Sequence, residues 1–173
     1  YQYQIKDWEF KKKGLLKRIK KDKLIRTNLQ TFETDRQTSK KSYLHYFQDL
    51  IKPELMEFCM EAQVTCSMTD CWAVRYQKGD QQTIHNHRSW GFTGVLYLEF
   101  DPKVHTPTCF VAPWQNPRSD TTSLAFPKDV KEGTIFISPS YTLHFVHPNQ
   151  VRKHRTIISF DLLPKLPDHQ SVD

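Results

Sequence analysis

The sequence predicts a mostly β protein with its helices confined to the N-terminal third, and three observations carry that reading. From about Val64 onward, short runs rich in β-branched and aromatic residues follow one another closely. Turns bearing Gly, Pro, Asn and Asp separate them. Before residue 62 the period is different: Leu44, Phe47, Leu50, Ile51, Leu55 and Phe58 recur every three or four residues, the spacing of one apolar helix face.

In chain order, IKDWEF and LQTFETD are candidate strands bracketing the helical part, and Pro53 either starts a second helix or kinks the first. The segments TCSMTDCWAVRYQ, FTGVLYLEF, TCFVAP, SLAF, GTIFIS, LHFVH and RTIISFDLL then read as strands. Seven or eight short strands imply a sandwich or barrel. A chain of 173 residues, 38 % apolar and 13 % aromatic, fills one core rather than two. We therefore expect a single domain, with N-terminal strands and supporting helices over 1–62, the β core over 63–163 and a tail over 164–173.

No apolar run approaches the ~20 residues of a membrane span, and YQYQIKDWEF shows no signal-peptide pattern, so a soluble, cytoplasmic protein without a membrane partner is expected. Cys59, Cys66, Cys71 and Cys109 form no CxxC pair and are expected as reduced thiols. The net charge of +6 is an N-terminal property: residues 1–41 hold 13 of the 25 Lys and Arg against five acids. Such a run reads first as a solvated helix face and only weakly as a nucleic-acid contact, and it is expected to be dispensable for metal binding.

The densest chemistry lies in YQKGDQQTIHNHRSWGFTGVLYL, residues 76–98. Strand alternation places residues i and i+2 on one face, so His85 and His87 can present two imidazoles to one ion. A third comes from GTIFISPSYTLHFVHP, where His144 follows an apolar strand and a Ser-Pro-Ser turn; the odd offset to His147 puts only one of that pair inward. Three imidazoles on a rigid β scaffold occupy one face of an octahedron and leave the opposite positions for substrate and oxygen. On the strand after His87, Thr93, Val95 and Tyr97 share one side and Gly94, Leu96 and Leu98 the other, so Tyr97 and His85 can face one cavity. Arg155 precedes an apolar run and reads as inward-facing, with no acid near it before Asp161, so it needs an anion. His45, His105, His147, His154 and His169 read as structural or exposed, and Trp72, Trp90, Phe92 and Trp114 as core or pocket wall. The segment from Val111 to Thr122 reads as a substrate-side loop or an ordinary connection.

In order and spacing, Tyr76, Gly79, His85, His87, Tyr97, Leu98, Gly133, Pro139, His144, Val146, Pro148 and Arg155 resemble the 2-oxoglutarate and Fe(II)-dependent oxygenases, in particular their prolyl-hydroxylase-like branch. The resemblance spans about Trp72 to Asp161. It implies a double-stranded β-helix, a jelly-roll or cupin-like barrel, and an enzyme that hydroxylates a C–H bond while releasing succinate and CO2. By that resemblance His85 and His144 ligate Fe(II), Arg155 pairs with the distal carboxylate of the cosubstrate 2-oxoglutarate, Tyr97 bonds the same carboxylate, and Tyr76 lines the cavity near the iron. The chain departs from the usual HxD at His87, where direct ligation, a carboxylate such as Asp80, or a water are all open. The substrate class stays open too: a protein side chain, a nucleotide or a small metabolite.

Two other readings compete. Gly79, five residues, His85-x-His87, and then Gly133, five residues, Pro139 and His144, also resemble the cupin motifs of three-histidine dioxygenases that use no 2-oxoglutarate, although Gly91 and Phe92 stand where the cupin glutamate is expected. A metal-free β-barrel binding module is the third.

Overall fold

The structure is a computed structural model that describes residues 1–27, 31–34, 40–116 and 121–165. Eleven strands and two helices occur among them. They are β1 (Gln2–Gln4), α1 (Trp8–Ile19), β2 (Leu24–Arg26), β3 (Phe32–Thr34), α2 (Leu44–Glu61), β4 (Cys66–Tyr76), β5 (Gln82–His85), β6 (Phe92–Glu99), β7 (Cys109–Asn116), β8 (Thr121–Ala125), β9 (Thr134–Pro139), β10 (His144–Val146) and β11 (Arg155–Pro164). Every strand pair is antiparallel. A seven-stranded sheet runs β1-β9-β6-β11-β4-β3-β2, and a four-stranded sheet runs β5-β10-β7-β8.

The larger sheet is apolar on both faces, which is why its central strands read as continuous hydrophobic runs. One face, with Ala73, Leu96, Leu98, Ile135, Ile158, Phe160 and Leu162, packs against Leu15 and Ile19 of α1 and Phe47, Ile51 and Phe58 of α2. The other, with Trp72, Val74, Tyr76, Val95, Tyr97 and Ile157, meets Val146 of the small sheet. Along β11 the alternation therefore sends Ile158, Phe160 and Leu162 to the helices and Ile157 toward the cavity between the sheets. Arg155, Ser159 and Asp161 share the parity of Ile157. Two antiparallel sheets closed on a shared cavity, with helices behind the larger one, are the double-stranded β-helix expected from the sequence.

Three expectations change and a fourth narrows. IKDWEF is no strand: Ile5 and Lys6 lead out of β1, Asp7 takes a left-handed turn (φ 53°), and Trp8 opens α1. The N-terminal segment is structural, since β1 pairs with β9 and Ile5, Trp8, Leu15 and Ile19 are all buried. Leu44–Glu61 is one helix with Pro53 inside it, so of the two alternatives Pro53 does not start a second helix. A proline there costs about 3 kcal/mol, offset by Phe47, Leu50, Ile51 and Phe58, which stay on one buried face. The segment from Val111 to Thr122 contributes to β7 and β8 rather than forming one long loop; residues 117–120, the side chain of Trp114 and His169 lie outside what the structure describes.

The basic residues of α1 are partly engaged. Lys12 pairs with Glu132 at 2.6 Å, and Arg18 lies 4.1 Å over the Tyr46 ring. Among the described residues no helix is long and apolar enough to cross a membrane, and all four cysteines are free thiols.

Candidate metal centre

His85 ends β5 and His144 begins β10, and the antiparallel register sets them directly opposite each other. His87 is no longer on the strand. It lies in the bend after His85, where its backbone N–H donates to the Ser140 carbonyl at 2.9 Å and ties that bend to the Ser-Pro-Ser turn. Strand alternation does not account for the place of His87: a long-range backbone bond rather than a continued strand turns it toward the others. The ring centroids stand 4.4 Å (His85–His144), 5.1 Å (His87–His144) and 5.6 Å (His85–His87) apart. One ring nitrogen of each lies within 4.8 Å of the others, a group able to hold a metal ion.

The tautomers follow from the hydrogen bonds. His85 Nδ1 lies 2.7 Å from the Thr83 carbonyl oxygen and His144 Nδ1 2.9 Å from that of Thr142. A carbonyl can only accept, so both Nδ1 atoms carry the hydrogen and both Nε2 lone pairs are left for an ion. Burial, assisted by the neighbouring His85 and His87, holds His144 down at about 4, so its imidazole is neutral around pH 7. Trp72 stacks on His87 with centroids 5.5 Å apart at 27°, the pocket-wall role expected of it.

Asp80 does not complete the cluster. Its carboxylate accepts from Arg26 at 2.7 Å and from the Gln77 backbone N–H at 2.8 Å, which fixes the turn at Gly79 (φ 87°). His147 is exposed while His144 is buried, as the odd offset required. His105 is structural, accepting from the Asp101 N–H at Nδ1 and meeting the Lys153 carbonyl at Nε2.

A cavity lined by Trp72, Gln82, His87, Thr108, His144 and Ile157, among others, leads inward from the cluster. At Thr108 it meets Arg155, which is 2 % exposed and donates from Nη2 to Thr108 Oγ1 at 3.1 Å. Arg155 Nε and Nη1 are fully buried and have no hydrogen-bond partner among the described residues. The guanidinium lies 4.7 Å from the Tyr76 ring centre and 5.6 Å from that of Tyr97. Tyr97 accepts from the Thr108 N–H at 3.1 Å and keeps its own hydrogen to donate. Tyr76 donates to Gln82 Oε1 at 2.9 Å, and burial, working against the nearby Arg155, pushes its hydroxyl up to about 12. Tyr76 therefore contacts Arg155 and, through its hydroxyl, the cavity-lining Gln82. Thr108, Gln82 and Asp161 were missed from sequence, since a Thr, a Gln and an Asp without a motif carry no signal until the fold aims them.

A histidine face at one end of a β cavity and an anion-seeking guanidinium at the other suit a metal enzyme with an acidic cosubstrate. Residues 70–161 match the model of the family described as "Putative 2OG-Fe(II) oxygenase", and the chain belongs to that family. It is thus a 2-oxoglutarate- and Fe(II)-dependent oxygenase. No curated protein sequence matches the chain. Among solved structures, the collagen prolyl hydroxylase of Paramecium bursaria Chlorella virus-1 in its 2-oxoglutarate complex is similar over 94 % of each chain, with 16 % identity and a TM-score of 0.64. A Pseudomonas putida prolyl-4-hydroxylase covers 95 % of this chain and 92 % of its own at 12 % identity, TM-score 0.61. HygX of Streptomyces hygroscopicus, holding nickel and 2-oxoglutarate, covers 95 % and 82 % at 11 % identity, TM-score 0.69. At these identities the likeness is one of fold.

Proposed function

We propose that His85, His87 and His144 hold the Fe(II), that Arg155 and Tyr97 hold the distal carboxylate of 2-oxoglutarate, and that the substrate offers a C–H bond at the cluster. The observation that carries this reading is Arg155: a buried guanidinium with two unpaired donors, hydrogen-bonded to Thr108, which lines the same cavity as His87 and His144. An unpaired buried charge costs several kcal/mol, and a dicarboxylate reaching from the ion to Arg155 would remove that cost with a two-pronged pair. Tyr76 supports the guanidinium from beneath. Trp72, Val74, Val95, Val146 and Ile157 keep water from the reacting end.

Fe(II) held by these histidines, with 2-oxoglutarate bound, would supply the chemistry by which dioxygen gives one oxygen atom to succinate, with loss of CO2, and the other to the substrate C–H bond. The side chains leave about 10 Å³ between them, room for roughly one water. A cytoplasmic setting belongs to this reading, since a reducing compartment keeps both Fe(II) and the four free thiols reduced.

The three-imidazole set favours the second reading, a cupin-type dioxygenase without 2-oxoglutarate. One measurement separates them. 2-Oxoglutarate should raise the melting temperature of the Fe(II)-loaded protein, and Arg155→Ala should abolish that rise while metal content stays. No rise, together with thiol-dependent oxygen uptake, would establish the cupin reading instead.

A further inference from the structure

We infer that Asp161 supplies, through the ring of His87, the negative charge that a directly ligating carboxylate would bring to the ion. The inference rests on the ligand set proposed above. Three neutral imidazoles leave both positive charges of a divalent ion uncompensated by its protein ligands, whereas an HxD set neutralises one of them. Here His87 stands in the carboxylate's place, and a carboxylate stands directly behind His87.

The geometry is closely determined. Asp161 is 6 % exposed and opposes Thr93 across the β6–β11 pair. Its Oδ1 lies 2.7 Å from His87 Nδ1. The hydroxyl of Thr93 is 3.1 Å from the same nitrogen, but it donates to the Phe160 carbonyl at 3.3 Å and so can only accept from His87. Both groups facing Nδ1 are acceptors. The hydrogen therefore sits on Nδ1 and the Nε2 lone pair is left for the ion, with Trp72 fixing the ring plane. His85 and His144 each have a backbone carbonyl at Nδ1, whereas His87 has a carboxylate there.

Asp161 needs a positive charge nearby. Among the described residues the Lys or Arg side chain paired with it is Arg88, whose Nε lies 3.9 Å from Oδ2 on a side chain 44 % exposed, beyond hydrogen-bond reach. An ion on the far side of the His87 ring would supply the rest. β11 thus serves both ends of the cavity, with Arg155 toward the anion and Asp161 toward the metal, six residues apart and so of one parity. Asp161 acts as a positioning residue: it touches neither ion nor substrate, and it sets the orientation and donor strength of His87.

The test is anaerobic titration of the full metal-free chain with Co(II), followed by its visible ligand-field bands. Asp161→Asn is expected to weaken binding about 10- to 100-fold and to shift the bands toward lower energy, a readout that general loosening of the site would not move. Asp161→Glu, which keeps the charge, should recover most of both. Since Asp161 lies in a central strand, the double variant His87→Asp, Asp161→Asn provides an independent arm: it returns the carboxylate to the ion directly and should bind Co(II) as tightly as the wild type. Unchanged binding and bands in Asp161→Asn would overturn the inference while leaving the ligand set standing. So would tighter binding, which would mean that Asp161 holds a competing proton on His87, or a double variant that binds as poorly as His85→Ala. Undiminished binding in both His85→Ala and His144→Ala would overturn the ligand set itself and the inference with it.

Discussion

His144 faces His85 directly across the β5–β10 pair, with ring centroids 4.4 Å apart, so one antiparallel register brings together two residues 59 positions apart in sequence. The register slips between His144 and Val146, which pairs with Gln82 rather than with the residue two places before His85. That irregularity lets β10 deliver both His144 and Val146 to the cavity while Gln82 braces Tyr76.

Metal should stabilise the fold through this pair. At 100 times its dissociation constant a bound ion adds about 2.7 kcal/mol, so chelator should lower the melting temperature of the wild type. His85→Ala and His144→Ala should melt near the chelated wild type and ignore added metal. A metal-induced rise of wild-type size in either variant would remove that residue from the centre.

Acid should weaken the metal-free protein through His144. Its imidazole is held at about 4 against an ordinary 6.5, chiefly by burial. Between those values the unfolded chain takes up a proton that the folded chain refuses, so stability falls as pH drops from 6.5 toward 4 and is indifferent to this group above that window. His144→Gln should show a smaller loss over the same window in chemical denaturation of the chelated protein. An equal loss would place the acid sensitivity elsewhere.

Arg155→Met should not destabilise the ligand-free protein. The substitution removes two buried unpaired donors, each costing about 1–3 kcal/mol, and loses stacking on Tyr76 and Tyr97 of about 1–2 kcal/mol. Denaturant midpoints should agree with wild type or exceed it. A loss of several kcal/mol would show that the guanidinium is already compensated and needs no ligand.

Gly94→Ala should be costly. Gly94 opposes Phe160 across the β6–β11 pair, and a Cβ there would come within 2.1 Å of the Phe160 ring, itself fully buried. Overpacking of this kind costs about 1–3 kcal/mol, readable in the urea midpoint, and Phe160→Leu in the same chain should return part of it. Independence of the two substitutions would argue against direct contact.

Removal of residues 1–23 should unfold the protein rather than spare the metal site, because it strips β1 from β9 and takes Ile5, Trp8, Leu15 and Ile19 from the core. Far-ultraviolet circular dichroism of the truncated chain reads this directly. A folded product that binds metal normally would restore the segment to an accessory role.

Sequence by itself determined the barrel class and the chemistry of its key positions. Alternation and apolar runs located the central strands because β6, β9 and β11 are buried along most of their length and β4 over its second half, and burial of that kind is written in consecutive residues. Histidine, arginine and tyrosine at motif spacing named His85, His87, His144, Arg155 and Tyr97, since each carries its chemistry in its residue type. Local pattern did not reveal β1, β2 or β5, which are three or four residues long and held by partners elsewhere in the chain. Nor could it join Asp161 to His87, Thr108 to Arg155, or Asp80 to Arg26. Those pairings lie across strands and turns, and an aspartate or threonine has no distinctive spacing of its own; only the packed sheets decide which of them faces the cavity.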